Sequence, residues 1–220
     1  KKVMQILKED FAGFDAQLII MDVVPWMLPY YEASGIQFEI EDNRDYMDYT
    51  FTPEQFLAGM DTQDDRYRYN YFKRRFAYET EEITPFHREE IREFMEREWC
   101  GEKTCEECHC GCLLRVIDNL VPVFDKIRIN GILVRVEGKM AGLCIVSCRN
   151  GLGVYQYKNA VNRIKGINEY LLRESFERYL QSADTINYTE DMGVENLRYY
   201  KEHMAPAHTL LSKLTLTERG

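Results

Sequence analysis

Gly131-Ile-Leu-Val-Arg-Val136, Glu137-Gly138-Lys139 and Met140-Ala-Gly-Leu-Cys-Ile-Val-Ser147 form the stretch on which the fold reading turns. Two runs rich in β-branched and apolar residues, joined by a short glycine-containing connection, predict an antiparallel hairpin. A third strand is expected at Gly153-Val-Tyr-Gln-Tyr157. Beyond it Arg163-Ile-Lys-Gly166-Ile-Asn168 leads into a helical run from Glu169 to Leu180. The first N–H groups of a helix have no intrahelical acceptor, and the helix dipole favours an anion beside them. Arg163, Lys165, Gly166 and Ile167 are therefore a candidate phosphate cradle. The plainer alternative is an ordinary strand-to-helix turn with solvated cations.

This order of elements resembles the GNAT-type N-acyltransferases, which grip the pyrophosphate of acyl-CoA with Arg/Gln-x-x-Gly-x-Gly/Ala. Arg163, Gly166 and Asn168 occupy those positions, and Asn168 departs from Gly/Ala.

The chain has 220 residues, enough for one large domain or two small ones. It is 45% hydrophobic and 30% charged, a globular balance. No apolar run approaches the roughly 20 residues that cross a bilayer, and no secretory leader is visible. A net charge of −9 argues against broad electrostatic binding to nucleic acid, while leaving local basic patches open. Seven cysteines, five of them crowded between Cys100 and Cys112, do not form a secreted disulfide pattern. A reducing, cytoplasmic setting is expected.

Further expectations follow along the chain. Residues 1–12 carry a helical stripe, and Gln17–Met21 reads as a strand with a short helix, Trp26 to Tyr31, packed on it. Phe38–Asp42 alternates as a strand. Thr52-Pro-Glu-Gln55 and Thr84-Pro-Phe86 open helices, each with a threonine cap and proline in the first turn. Arg66–Arg75 places five cations and four aromatics in ten residues. Such a run can stack on bases, hold a lipid head group or meet a tRNA acceptor end. It can equally be an amphipathic helix with rings inward and cations wet. A composition shift at Ala77–Ile83 marks the expected boundary between a first half, 1–78, entered partway through its domain, and a second, 79–220.

Cys105, Cys108, Cys110 and Cys112, with His109, have the ligand types for a structural zinc site. No second paired cluster follows, and Cys-x-Cys-x-Cys is sterically awkward around one tetrahedral ion. Reduced cysteines in a loop, or a redox pair, are the alternatives. Cys112–Phe124 reads as a helix bent at Pro122, Asp184–Tyr188 as a buried strand, Val194–His203 as a helix, and His208–Leu216 as a final strand.

The C-terminal run from Ile186 to Pro206 carries a more specific resemblance. Asn187, Asp191, Gly193, Leu197, Arg198, Lys201 and Pro206 keep the spacing of the bacterial family named for the C-terminal domain of phosphatidylglycerol lysyltransferase. Tyr188, Thr189 and Asn196 stand where that family has Arg, Glu and Gly. Tyr157-Lys-Asn-Ala160 and Lys165-Gly166 resemble two further family tracts.

The resemblance implies an α+β protein with a mixed sheet, built as tandem GNAT-like halves. It implies acyl or aminoacyl transfer from acyl-CoA (acetyl-CoA) or aminoacyl-tRNA to a small-molecule or lipid-head-group acceptor. Asn187, Asp191 and Lys201 become candidate catalytic residues, with Asp191 as acid/base and helix capping as its alternative role. Arg163, Lys165, Gly166, Ile167 and Arg198 would grip the donor. Backbone N–H groups of Leu133–Val136, at Val134 and Val136, would meet the oxyanion of a splayed hairpin. Two rivals remain: a non-catalytic module binding a nucleotide or RNA end, and a zinc-stabilised interaction protein.

Overall fold

The structure, a computed structural model, describes residue 6 and residues 19–35, 37–100, 113–127, 129–204 and 206–216. The expected helix at 1–12, apart from residue 6, and the cluster Cys105–Cys112 lie outside the described residues.

Eight strands are described: β1 Ile19–Val23, β2 Phe38–Phe51, β3 Tyr78–Glu82, β4 Asn130–Val136, β5 Lys139–Arg149, β6 Leu152–Ala160, β7 Thr185–Asn187 and β8 Ala207–Leu216. The chain forms two compact units, one from residues up to Thr50 together with those from Thr189 on, the other Phe51–Tyr188. The boundary expected at 78/79 falls inside the second unit, at the start of β3.

In the first unit β8 lies between β1 and β2 and pairs antiparallel with both. β2 runs far past the expected Asp42. It follows β8 to Thr50 across a register shift between Asn43 and Asp48, and its buried residues alternate as Met47, Tyr49 and Phe51. A full-length partner strand extends β2 through a stretch whose charges conceal the alternation. The segment expected to pack on β1 forms a 3₁₀ turn, Pro25–Met27, and a short helix, Leu28–Glu32, but Trp26 and Tyr30 are 69% and 70% exposed.

The second unit holds a mixed sheet in the order β7-β6-β5-β4-β3. β3 to β6 are antiparallel neighbours, whereas β6 and β7 are parallel. The Glu137–Gly138 turn has positive φ at both central residues, 53° and 74°, the two-residue connection that suits twisted strands. β5 is buried from Met140 to Val146 because helices cover both faces of the sheet. The Arg88–Met95 helix contributes Ile91, Phe94 and Met95, and the Ile167–Ser175 helix contributes Ile167, Leu171 and Leu172. A π-helical turn, Phe176–Leu180, continues the latter. At Pro122 the Leu113–Leu120 helix gives way to a 3₁₀ turn, because proline has no N–H to continue it.

The capping box at Thr52 is present. The Gln55 N–H donates to Thr52 Oγ1 at 3.2 Å, and the Thr52 N–H donates to Gln55 Oε1 at 2.9 Å. Thr52→Ala is expected to cost about 1 kcal/mol in urea unfolding, the typical value of one lost cap.

Candidate functional site

The C-terminal signature folds into a charge clamp within the first unit. Asp191 is fully buried. Arg198 reaches it in bidentate fashion, Nε to Oδ2 and Nη2 to Oδ1, both 3.0 Å. Arg44 Nη1 donates to Oδ2 at 3.0 Å, the Gly193 N–H donates to Oδ1 at 2.9 Å, and the Tyr49 hydroxyl donates to Oδ2. Burial alone would push this carboxyl up. The hydrogen bonds from Arg198, Tyr49, Gly193 and Arg44 outweigh it and hold Asp191 well below the usual carboxylate range. A carboxylate so stabilised is a poor proton acceptor near neutral pH. Arg198 is further engaged by Asp45 at 2.6 Å, and Arg44 by Glu202 at 2.9 Å.

Lys201 is only 3% exposed. Its ammonium donates to the carbonyls of Thr189 and Glu190, at 3.2 and 2.8 Å, and stands 5.5 Å from the centre of the Tyr49 ring. Thr189 and Met192 have φ of 56° and 53°, conformations unfavourable for residues with side chains. Asp191, Arg198 and Lys201 thus converge on one strained turn and hold it. Asn187 belongs to the second unit, where it ends β7 opposite Val154.

The hairpin expected to supply an oxyanion donor is paired along β4 and β5, with an irregularity between Val134 and Arg135. β4 is an interior strand, with Val134 opposite Thr80 on one side and Gly142 on the other, and Val136 opposite Tyr78 and Lys139. Both side chains are buried, and the strand is paired on both edges, with that register shift on the β5 side. The short pairing lies elsewhere: β6 and β7 share a ladder only over Leu152–Val154 and Thr185–Asn187, while β6 runs on to Ala160.

The end of β6 leads into the glycine turn. Gly166 has φ of +87° and caps the nine-residue helix Ile167–Ser175. A Cβ at this position would stand 2.1 Å from the Arg68 carbonyl oxygen, so only glycine lets the turn seat on the Gln63–Arg75 helix. Gly166 has no side chain to cap the helix; the Ile167 N–H donates to the Ile164 carbonyl at 3.3 Å, and those of Asn168 and Glu169 have no acceptor within the helix. Arg163 is 77% exposed, 3.7 Å from Glu98. Lys165 Nζ lies 4.6 Å from the Tyr67 ring centre and 5.4 Å from that of Tyr71. The cation–aromatic run of 66–75 is therefore a helix beside the turn. Phe72 is buried, Tyr69 stacks on Tyr170 and Tyr67 is exposed.

Sequence reasoning missed Arg44 and Tyr49 as partners of Asp191, and Asp45 as a partner of Arg198. It also missed Lys158, whose Nζ donates to Asn168 Oδ1 at 3.0 Å. Arg44 and Asp191 are 147 positions apart, and no local spacing signals their pairing.

The family profile for the C-terminal region of phosphatidylglycerol lysyltransferase matches residues 1–212. The chain belongs to this family. Among solved structures, a conserved protein of unknown function from Bacteroides thetaiotaomicron is similar at a TM-score of 0.80 and 22% identity, over 99% of this chain and 75% of that one. L-PGS from Bacillus licheniformis is similar at 0.69 and 15%, over 99% and 73%. A tandem GNAT protein from the clavulanic acid biosynthesis pathway is similar at 0.57 and 10%, over 100% and 69%. These likenesses show the fold: this member of the phosphatidylglycerol lysyltransferase C-terminal family is α+β and GNAT-like. No curated protein matches the sequence. Among the described residues no helix is long and apolar enough to cross a membrane.

Proposed function

We propose that this chain transfers an acyl or aminoacyl group from a phosphorylated carrier, acyl-CoA or aminoacyl-tRNA, to an amine or hydroxyl of a small molecule or lipid head group. Membership of the phosphatidylglycerol lysyltransferase C-terminal family supports the reaction class. The observation that carries the donor side is the Gly166 turn, a left-handed glycine opening a helix a short turn after β6, flanked by Arg163 and Lys165. Carrier phosphates would accept from the first-turn amides, with Arg163 and Lys165 supplying charge and the Tyr67 and Tyr71 rings alongside. Arg163 is held only loosely, by a single carboxylate at 3.7 Å, so a phosphate can recruit it at small cost. Asp191, Arg198 and Lys201 serve in this reading to hold the 189–193 turn, and the proton transfers fall to other groups.

Calorimetry with acetyl-CoA, CoA and charged tRNA tests the proposal. Binding of a donor followed by release of free CoA or deacylated tRNA in the presence of acceptor is expected. Binding without turnover would favour a non-catalytic module. Arg163→Ala and Lys165→Ala are each expected to weaken donor binding about tenfold, the size of one lost charge-assisted contact. Unchanged affinity in both would remove the cradle.

A further inference from the structure

The Ile167–Ser175 helix turns one stripe towards the sheet. Leu171 on that stripe stands beside Gly142, where a Cβ would meet Leu171 Cδ1 at 2.8 Å and the Ala160 Cβ at 3.1 Å. Asn168 lies three residues before Leu171 and seven before the buried Ser175, so it shares this face. Lys158 on β6 sits two residues before Ala160 and opposite Cys144, on the same side of the sheet. Its amine reaches up to Asn168 Oδ1 at 3.0 Å.

This lysine is oddly placed. Its amine lies under the positive end of a helix and is part-buried, and both conditions disfavour a cation. Burial pulls its pKa down, with Cys144 and Glu169 opposing. Cys144 is itself pushed up to about 11 by burial, so it carries no charge near neutrality. Glu169 is shared with Arg68 at 3.5 Å. The bond to Asn168 needs only an N–H and survives whether the amine is charged or neutral.

Asn168 is the second residue of the helix. An asparagine side chain there can fold back onto the first-turn amides, because Asn readily bonds to nearby backbone groups. Bound that way, it would occupy the donors that a phosphate needs. We propose that Lys158 is a positioning residue: it ties the Asn168 side chain down against the sheet and keeps the cradle at Gly166 open to the donor. The inference rests on the donor site proposed above.

A double-mutant cycle on the full chain tests it, with acetyl-CoA and charged tRNA as titrants and thermal melts as the folding control. Lys158→Met should weaken donor binding about tenfold, as Asn168 swings onto the amides, whereas Asn168→Ala alone should stay within about twofold of the parent. Lys158→Met with Asn168→Ala should recover most of the loss, because no side chain remains to block the turn. Recovery is the result that a direct charge contact or a merely structural lysine would not produce. Failure to recover, or parent affinity in Lys158→Met, overturns the positioning role while leaving the donor site standing. If the parent protein binds neither titrant, both the donor site and the inference fall. In the ligand-free protein the Asn168 side-chain amide resonances should move on Lys158→Met, and unchanged resonances would also overturn the inference.

Discussion

Asp191→Asn is expected to destabilise the first unit by about 3–5 kcal/mol, the usual cost of removing one partner from a buried ion pair. The variant keeps the size of the side chain but leaves Arg44 and Arg198 facing a neutral amide. It also loosens the turn whose left-handed Thr189 and Met192 the clamp holds in place. Hydrogen exchange over residues 189–204 reads this locally, which suits a chain of two units better than one global transition. Loss of protection there at neutral pH is expected, and a change below about 1 kcal/mol would sink the clamp.

The pH dependence has a definite sign. The folded-state pKa of Asp191 is depressed, so its stabilisation is complete above the unfolded value of about 3.9 and is lost as pH falls below it. The parent protein should therefore lose protection over 189–204 on acidification, and Asp191→Asn should flatten that limb. If Asp191 acted instead as acid or base, the same variant would lose turnover with its stability intact.

Gly166→Ala is expected to be the second most damaging single change, at about 3–5 kcal/mol with donor binding lost. Two costs add. A left-handed φ of +87° disfavours any side chain by about 1–2 kcal/mol. The added Cβ would then meet the Arg68 carbonyl at 2.1 Å, and that oxygen belongs to a helix backbone that cannot step aside alone. Gly138 is the control. Its φ is +74°, but nothing lies within 4 Å of a Cβ there, so Gly138→Ala should show only the strain. Urea unfolding of the two variants separates strain from overlap, and equal losses would mean that the seat on the Gln63–Arg75 helix has been misread.

Much of the fold was legible in the residues. The β4–β5 hairpin, the Thr52 capping box, the strand-to-helix turn at Gly166 and the helix over Arg88–Met95 all rest on signals within a dozen positions. The family signature at Asn187–Pro206 was legible too, but its job was not. The resemblance offers Arg198 as a donor grip and Lys201 as a catalytic residue, whereas their targets, the buried Asp191 and the Thr189 and Glu190 carbonyls, lie in the turn before the helix.

What the sequence by itself determined is therefore the local chemistry: where strands alternate, where helices begin, where glycine is required, and which family signature the chain carries. Only the tertiary structure decided the partners. β4 acquired β3 on its second edge, which makes it an interior strand. Arg44 and Tyr49 came to Asp191 from a distant strand, and Lys158 on β6 met Asn168 on the helix packed over it. The reason is physical. Periodicity and turn preference act between neighbours in the chain, whereas the pairing of buried charge is set by which surfaces the packed core brings together.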